Sequence, residues 1–240
     1  MSKKDEKFAW DKKEWTSFLW NLEQKLVQKY THKIPSWIET YHLTITTVIW
    51  SLGILLFCYL ASYTGNMNWL WLTSLMIFLQ YITDLFDGAV WRYRNTWLIK
   101  WWYYMDHFLD YIFLCSIVIG YVFIIPKIVF ETSFFGIPIQ INYYYFMFYL
   151  FMLVVGFMVS SYLSFAATNR FRISYLGIWP TEVRMVFIII NTFIILFGKT
   201  YMVWAMPYVL IFSFIWLLIV IYKTHKLLWE IDMEDKAANR

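Results

Sequence analysis

Between Tyr81 and Phe113 the chain reads YITDLFDGAVWRYRNTWLIKWWYYMDHFLDYIF. It holds four aspartates, Asp84, Asp87, Asp106 and Asp110, among flanks apolar enough to enter a bilayer. A carboxylate at a bilayer centre costs roughly 2.5–3.5 kcal/mol on insertion scales. Four of them so close together need a compensating chemistry, and that chemistry bears on what the rest of the chain is for.

The surroundings set the class. The chain has 240 residues, of which 61% are hydrophobic and 23% aromatic, far above the apolar share of a soluble domain. The implied fold class is an all-α integral membrane protein, six transmembrane helices preceded by an N-terminal amphipathic surface helix. Each span needs about 20 residues, and apolar runs fall near 42–63, 68–91, 97–125, 142–168, 181–199 and 205–223. Between them, SYTGNMN reads as a tight polar turn and PKIVFETSFFGIPIQ as a longer loop broken by Pro126, Gly136 and Pro138. NRFRISYLGIWP reads as a basic loop ending at Pro180, a residue suited to the first turn of the next helix.

Ahead of the spans, Trp15, Phe18, Leu19, Leu22 and Leu26 recur at helical spacing with Lys12, Lys13, Lys25 and Lys29 between them. That pattern predicts a helix over about 7–30 lying on the membrane surface, the alternative being a solvated helix packed on the bundle. The domain plan is thus a cytoplasmic tail and interfacial helix over 1–36, a six-helix transmembrane domain over 37–223, and a cytoplasmic tail over 224–240. MSKKDEKFAWDKKEW lacks the apolar core of a cleaved signal peptide, and Ser2 departs from the myristoylation pattern. Cys58 and Cys115 lie in apolar runs and read as free thiols.

Orientation follows from Lys and Arg. Eighteen of the twenty fall on one side: the N-terminal segment, the second-to-third connection (Arg92, Arg94, Lys100), the fourth-to-fifth region (Arg170, Arg172, Arg184) and the C-terminal tail. Only Lys127 and Lys199 fall on the other. The positive-inside rule then puts both termini in the cytoplasm and fits an even number of spans. The net charge of +4 is topology, and no nucleic-acid partner is expected.

Asp84 and Asp87 are three apart on the second predicted span and share a face with Gly88 and Trp91. Asp106 and Asp110 are four apart on the third, where Trp102 continues their face and His107 falls beside it as a polar residue at the membrane interface. Antiparallel neighbours joined by a short link bring both pairs to the cytoplasmic half. Four unpaired negative charges there would repel strongly. A divalent cation offsets this, and all-oxygen ligation favours hard metals such as Mg²⁺, Mn²⁺ or Ca²⁺ over zinc. Two ions about 3.5–4 Å apart would also polarise a phosphate ester. A proton relay or ion path, and structural ion pairing, are the other roles open to such residues.

At these positions the chain resembles the CDP-alcohol phosphotransferase family, whose signature is D-x-x-D-G-x-x-A-R, eight or nine residues, then G-x-x-x-D-x-x-x-D. Asp84, Asp87, Gly88, Arg92, Asp106 and Asp110 fall in register, with weaker likeness at IPSWIETYHLT and GIWPTEVR. Two positions depart from the pattern: Trp91 stands in place of Ala and Trp102 in place of Gly. The resemblance implies that Asp84, Asp87 and Asp106 bind two Mg²⁺ or Mn²⁺ ions, with Asp110 sharing one and acting as general base. Asp84, Gly88 and Arg92 would line the nucleotide side of the site, bordered by Trp91 and Trp102. These indoles would stack on the cytosine, reshape the donor site, block it, or turn aside into the interfacial aromatic belt.

Arg170, Arg172 and Arg184 would bind an acceptor's phosphate, the alternative being ordinary positive-inside charge. Glu182 suits the positive end of the fifth predicted span. Gly156, Ser160 and Ser164 form a small-residue face, for packing inside the bundle or between the protomers of a homodimer. The implied activity is transfer of a phosphatidyl group from a CDP-diacylglycerol donor to a polar alcohol acceptor, with release of CMP. A CDP-aminoalcohol donor with a diacylglycerol acceptor, an inactive metal-binding scaffold, and a cation or proton transporter are the competing expectations.

Overall fold

The computed structural model describes residues 20–94, 99–125, 129–134, 137–168 and 180–238. Among these residues seven α-helices run in chain order: α1 Trp20–Tyr30, α2 Thr40–Thr64, α3 Trp69–Arg94, α4 Ile99–Ile124, α5 Tyr143–Thr168, α6 Pro180–Phe197 and α7 Thr200–Ala238. Each apolar run of the sequence thus has a helix at its centre. Among the described residues, five helices are long and apolar enough to cross a membrane, namely α2, α3, α4, α5 and α7. α6 has 18 residues, about 27 Å at 1.5 Å per residue. The protein is an all-α, multi-span membrane bundle.

α2 packs along both α3 and α4, α6 lies against α3, and α5 bridges α4 and α7. Ile54, Cys58, Ile77, Phe113, Ile117, Tyr121 and Ile194 meet at the centre, all at most 4% exposed. Leu52, Leu56, Leu163, Leu196 and Phe212 point outward and are exposed, as apolar residues facing lipid are. Polar bonds tie the inner faces. Asn191, fully buried, accepts from the Tyr121 hydroxyl at 3.0 Å and donates to Ser74 Oγ at 3.1 Å, joining α6 to α4 and α3. Such bonds hold helices together where the surrounding lipid offers no partner.

Helix ends follow local chemistry. Gly65 stops α2 at φ 69° and Gly198 follows α6 at φ 84°, a conformation that only glycine takes without a steric penalty. α2 starts at Glu39, whose side chain caps the first turn while its N–H donates to His42 Nδ1 at 3.0 Å. Arg94, at the last position of α3, donates to the carbonyls of Ile34 (3.1 Å), Pro35 (3.0 Å) and Ile38 and lies 3.5 Å from Glu39. A charge that reads in sequence as topology is spent on fastening the approach to α2 against the end of α3.

One expectation changes. The segment read as a loop contains an antiparallel hairpin, β1 Val129–Phe134 paired with β2 Ile137–Asn142 in the register Phe134↔Ile137 to Val129↔Asn142. Its β-branched and aromatic content favours strands. Pro138 is tolerated because both strands of an isolated pair are edges. The stretch read as a C-terminal tail is helical, since α7 runs through it to Ala238 over 39 residues. α1 is tied to the bundle by a polar residue, while Leu22 is left on the outer side. Glu23 is buried while Leu22 is 56% exposed, and Glu23 Oε1 accepts from Tyr81 of α3 at 3.0 Å and Thr181 of α6 at 3.1 Å. Trp15, Phe18 and Leu19 lie outside the described residues. The small-residue face of α5 is used inside the bundle: a Cβ on Gly156 would come within 3.0 Å of Leu217 of α7.

Candidate metal centre

The alternation of helices brings the start of α2, the end of α3 and the starts of α4 and α6 to one end of the bundle. There the aspartates converge from two helices. One carboxylate oxygen from each of Asp84, Asp87 and Asp106 lies within 4.8 Å of the other two. Three oxygens no more than 4.8 Å apart all lie within about 2.8 Å of a common point, near the 2.3–2.6 Å of Ca²⁺ ligation and an inward turn of the side chains away from the 2.0–2.1 Å of Mg²⁺. The acidic donor set fits a divalent ion.

Each carboxylate has its own support. Asp87, 2% exposed, accepts from the Thr44 hydroxyl of α2 at 2.8 Å. The same hydroxyl lies 3.1 Å from the Thr40 carbonyl, and its single proton favours the nearer, charged acceptor. Asp106 Oδ2 lies 3.3 Å from His107 Nδ1. The imidazole in turn packs edge-on against Tyr103 and stacks on Tyr162 of α5, whose hydroxyl donates to the His107 carbonyl at 3.0 Å. His107 is thus not a bystander at the membrane interface, because its ring folds back onto the preceding residue's carboxylate.

Asp110 stands outside the triad. Its Oδ1 takes two hydrogen bonds, from Arg184 Nη2 at 3.0 Å and from Gln80 Nε2 at 3.3 Å. The same Arg184 nitrogen lies 2.9 Å from Asp84 Oδ2. Arg184 comes from the first turns of α6, its side chain is 7% exposed, and its guanidinium lies 5.8 Å from the Phe113 ring centroid. One cation therefore binds a carboxylate on α3 and another on α4. Gln80 is fully buried, and its Oε1 has no hydrogen-bond partner among the described residues.

The departures from the family pattern have a shared geometry. Trp91 and Trp102 stack with centroids 5.3 Å apart and planes within 6°. A Cβ on Gly88 would meet Trp102 Cζ2 at 3.3 Å and Arg92 Nη1 at 3.5 Å. The open side of Gly88 is covered by an indole and a guanidinium of the chain itself.

The structure thus brings together Asp84, Asp87, Asp106, Asp110 and Arg184, with Gly88, Trp91, Trp102 and Arg92 beside them. Arg170 and Arg172 lie outside the described residues. Sequence reasoning missed Gln80, Thr44 and the contact of His107. Gln80 was within reach of it, since it sits four residues before Asp84 on one helical face. Thr44 carries no local signal, being 43 positions from Asp87. The cysteines are free, as expected.

Compared with known family models, curated proteins and solved structures, the chain gives no significant match. What is established is a helical, membrane-embedded protein with an acidic cluster able to hold a metal ion.

Proposed function

We propose that this protein is a membrane transferase of the CDP-alcohol phosphotransferase type, moving a phosphatidyl group from CDP-diacylglycerol to a polar alcohol. The observation that carries the reading is the approach of Asp84, Asp87 and Asp106 to within 4.8 Å, with Asp110 beside them but bound to Arg184 and Gln80 instead. This division supports different roles: three carboxylates to hold a cation and one to handle a proton. The architecture proposed with it has six spans, α6 being the short one, with both termini and the site on the cytoplasmic side, where the basic residues gather. A homodimer is part of the same proposal.

A divalent ion, Mg²⁺ or Mn²⁺, would be held by Asp84, Asp87 and Asp106 and would supply charge neutralisation at the phosphates of the donor. Asp110 takes the proton from the acceptor hydroxyl as its oxygen attacks the phosphatidyl phosphorus. The phosphorus–oxygen bond to CMP breaks, and CMP leaves with that bond's electron pair. Gln80 and Arg184 orient Asp110, and Arg184 is placed to meet a phosphate oxygen with a charged, directional bond. Arg92 lies at the outer edge, one turn after Gly88, and serves the donor phosphate. The Trp91–Trp102 stack offers an aromatic wall for the cytosine.

The test is CMP release by purified protein in detergent, given CDP-diacylglycerol or CDP-aminoalcohols, Mg²⁺ or Mn²⁺ and a pool of acceptors. Metal-dependent release from CDP-diacylglycerol, abolished in Asp110→Asn, supports the reading. Folded, metal-loaded protein that releases nothing from any donor ends it.

A second reading is favoured by one observation, the cover that Trp102 forms over Gly88. On that reading the protein is a metal-binding membrane scaffold whose donor pocket is closed. A gain of nucleotide binding on restoring Trp91→Ala and Trp102→Gly separates it from the first.

A further inference from the structure

We propose that Ser51 and Gln80 hold one buried water molecule between α2 and α3, and that this water keeps the Gln80 amide turned towards Asp110. The water site stands apart from the transferase reading. Only its service to Asp110 rests on that reading.

Helical register puts the two side chains opposite each other. Thr44 of α2 meets Asp87 of α3 at 2.8 Å, and further along the same two helices Cys58 Sγ meets Thr73 Oγ1 at 3.7 Å. Ser51 lies seven residues from both Thr44 and Cys58, and Gln80 lies seven from both Asp87 and Thr73. Seven residues are close to two full turns of 3.6, so Ser51 and Gln80 share the contacting faces and stand level, midway between those contacts. Trp50, next to Ser51, donates to Thr83 at 3.1 Å and flanks the same level. Both side chains are closed off from outside, with Ser51 3% and Gln80 0% exposed.

Yet neither Ser51 Oγ nor Gln80 Oε1 has a hydrogen-bond partner among the described residues. Thr83, Ser116 and Thr192 return their hydroxyls to carbonyls of the preceding turn, and Ser51 does not. Gln80 presents its nitrogen to Asp110 Oδ1 at 3.3 Å, because a carboxylate only accepts, and its carbonyl oxygen is left over. A donor and an acceptor, both buried and both unpaired, are costly to leave apart. A water with two bonds of about 2.8 Å joins oxygens about 4.5 Å apart, and buried waters settle where about two to four polar groups converge. The ligand is water rather than a cation: the two free groups are neutral, and Asp110 Oδ1 already has Arg184 at 3.0 Å. One turn further in, Ile54, Ile77 and Phe113, each at most 1% exposed, form an apolar floor that ends the polar layer.

The Ser51 hydroxyl donates to the water, and the water donates to Gln80 Oε1. Hydrogen bonds in series polarise one another, so the amide N–H that faces Asp110 becomes the stronger donor. The same water holds the amide against a flip that would turn its oxygen onto the carboxylate. Ser51 is thereby a positioning residue for the proposed base, acting through the water and Gln80 without touching substrate.

The first measurement is a density map of the full-length protein in lipid nanodiscs, at a resolution that shows ordered water. A peak within about 3.2 Å of both Ser51 Oγ and Gln80 Oε1 is expected, lost in Ser51→Ala and kept in Ser51→Thr. A wild-type map with no peak there overturns the proposal, whether Ser51 bonds Gln80 directly or turns to a carbonyl of its own helix. So does a peak that stays unchanged in Ser51→Ala. The wild-type map decides the site even where Ser51→Ala does not fold. The second measurement is CMP release from CDP-diacylglycerol with Mg²⁺ or Mn²⁺. Ser51→Ala is expected to lower kcat about fivefold, the worth of one hydrogen bond, with the donor KM unchanged, and Ser51→Thr to restore it. An unchanged kcat, or a loss carried by KM, overturns the role towards Asp110. Wild-type protein that shows the peak and no turnover ends the transferase reading and leaves the water site standing.

Discussion

Arg184 Nη2 stands 2.9 Å from Asp84 Oδ2 and 3.0 Å from Asp110 Oδ1, one nitrogen shared by carboxylates of two helices. The pair ties α6 to the centre of the site, and it lowers the repulsion among four aspartates before any metal ion is considered.

Replacing Arg184 by Gln removes that counter-charge. Breaking a buried pair by deleting one partner costs about 3–5 kcal/mol, and the partial exposure of Asp84, 23% at the side chain, puts the expected loss at the lower end. Thermal unfolding in detergent measures it. Added Mn²⁺ is expected to recover more stability in Arg184→Gln than in the wild type, because the ion then supplies the missing positive charge.

Substitutions of the four aspartates are expected to separate into two groups. Asp84→Asn, Asp87→Asn or Asp106→Asn should each weaken Mn²⁺ binding at least tenfold, about 1.4 kcal/mol, as read by electron paramagnetic resonance. Asp110→Asn should weaken it by less than threefold, since Asp110 is held by Gln80 and Arg184. Four equal losses would put Asp110 among the metal ligands.

The stacked indoles give a test of the donor site. If cytosine packs against them, Trp91→Ala lowers affinity for CDP-diacylglycerol by about tenfold, within the roughly 1–3 kcal/mol measured for stacking of a base on an aromatic ring. Titration with a fluorescent cytidine nucleotide measures it. Tighter binding in Trp91→Ala or Trp102→Gly favours the closed scaffold.

Glu23 fastens α1 to two other helices, through Tyr81 and Thr181. Glu23→Ala leaves both hydroxyls without that acceptor, and hydrogen bonds to a charged group are worth about 1.5–3 kcal/mol. Faster amide exchange confined to α1, with α3 and α6 unchanged, is the expected result. Unchanged exchange would mean that α1 is held by something else.

Much of this was legible in the sequence, and particular residues show why. The helices over 40–64, 69–94 and 143–168 were readable because a membrane span advertises itself by sheer apolar length. The convergence of Asp84, Asp87 and Asp106 was readable because a short link between antiparallel helices leaves little choice of neighbour. Thr44 and Arg184 were different. Their contacts join residues 43 and 100 positions from their partners, and no local period encodes which helix lies alongside which. His107 was misjudged because helical spacing predicts where Cβ points and not where a ring turns afterwards. The hairpin over 129–142 was hidden by Pro and Gly, which signal a break in a helix and a turn between strands alike.

The unbroken course of α7 has a mechanical consequence. Its 39 residues make a rod of about 58 Å at 1.5 Å per residue, nearly twice the thickness of the hydrocarbon layer, about 30 Å. Part of it therefore stands clear of the lipid as a lever arm. Lys236 lies near the far end of that arm, so a probe placed there is expected to report any tilt of α7 against α5.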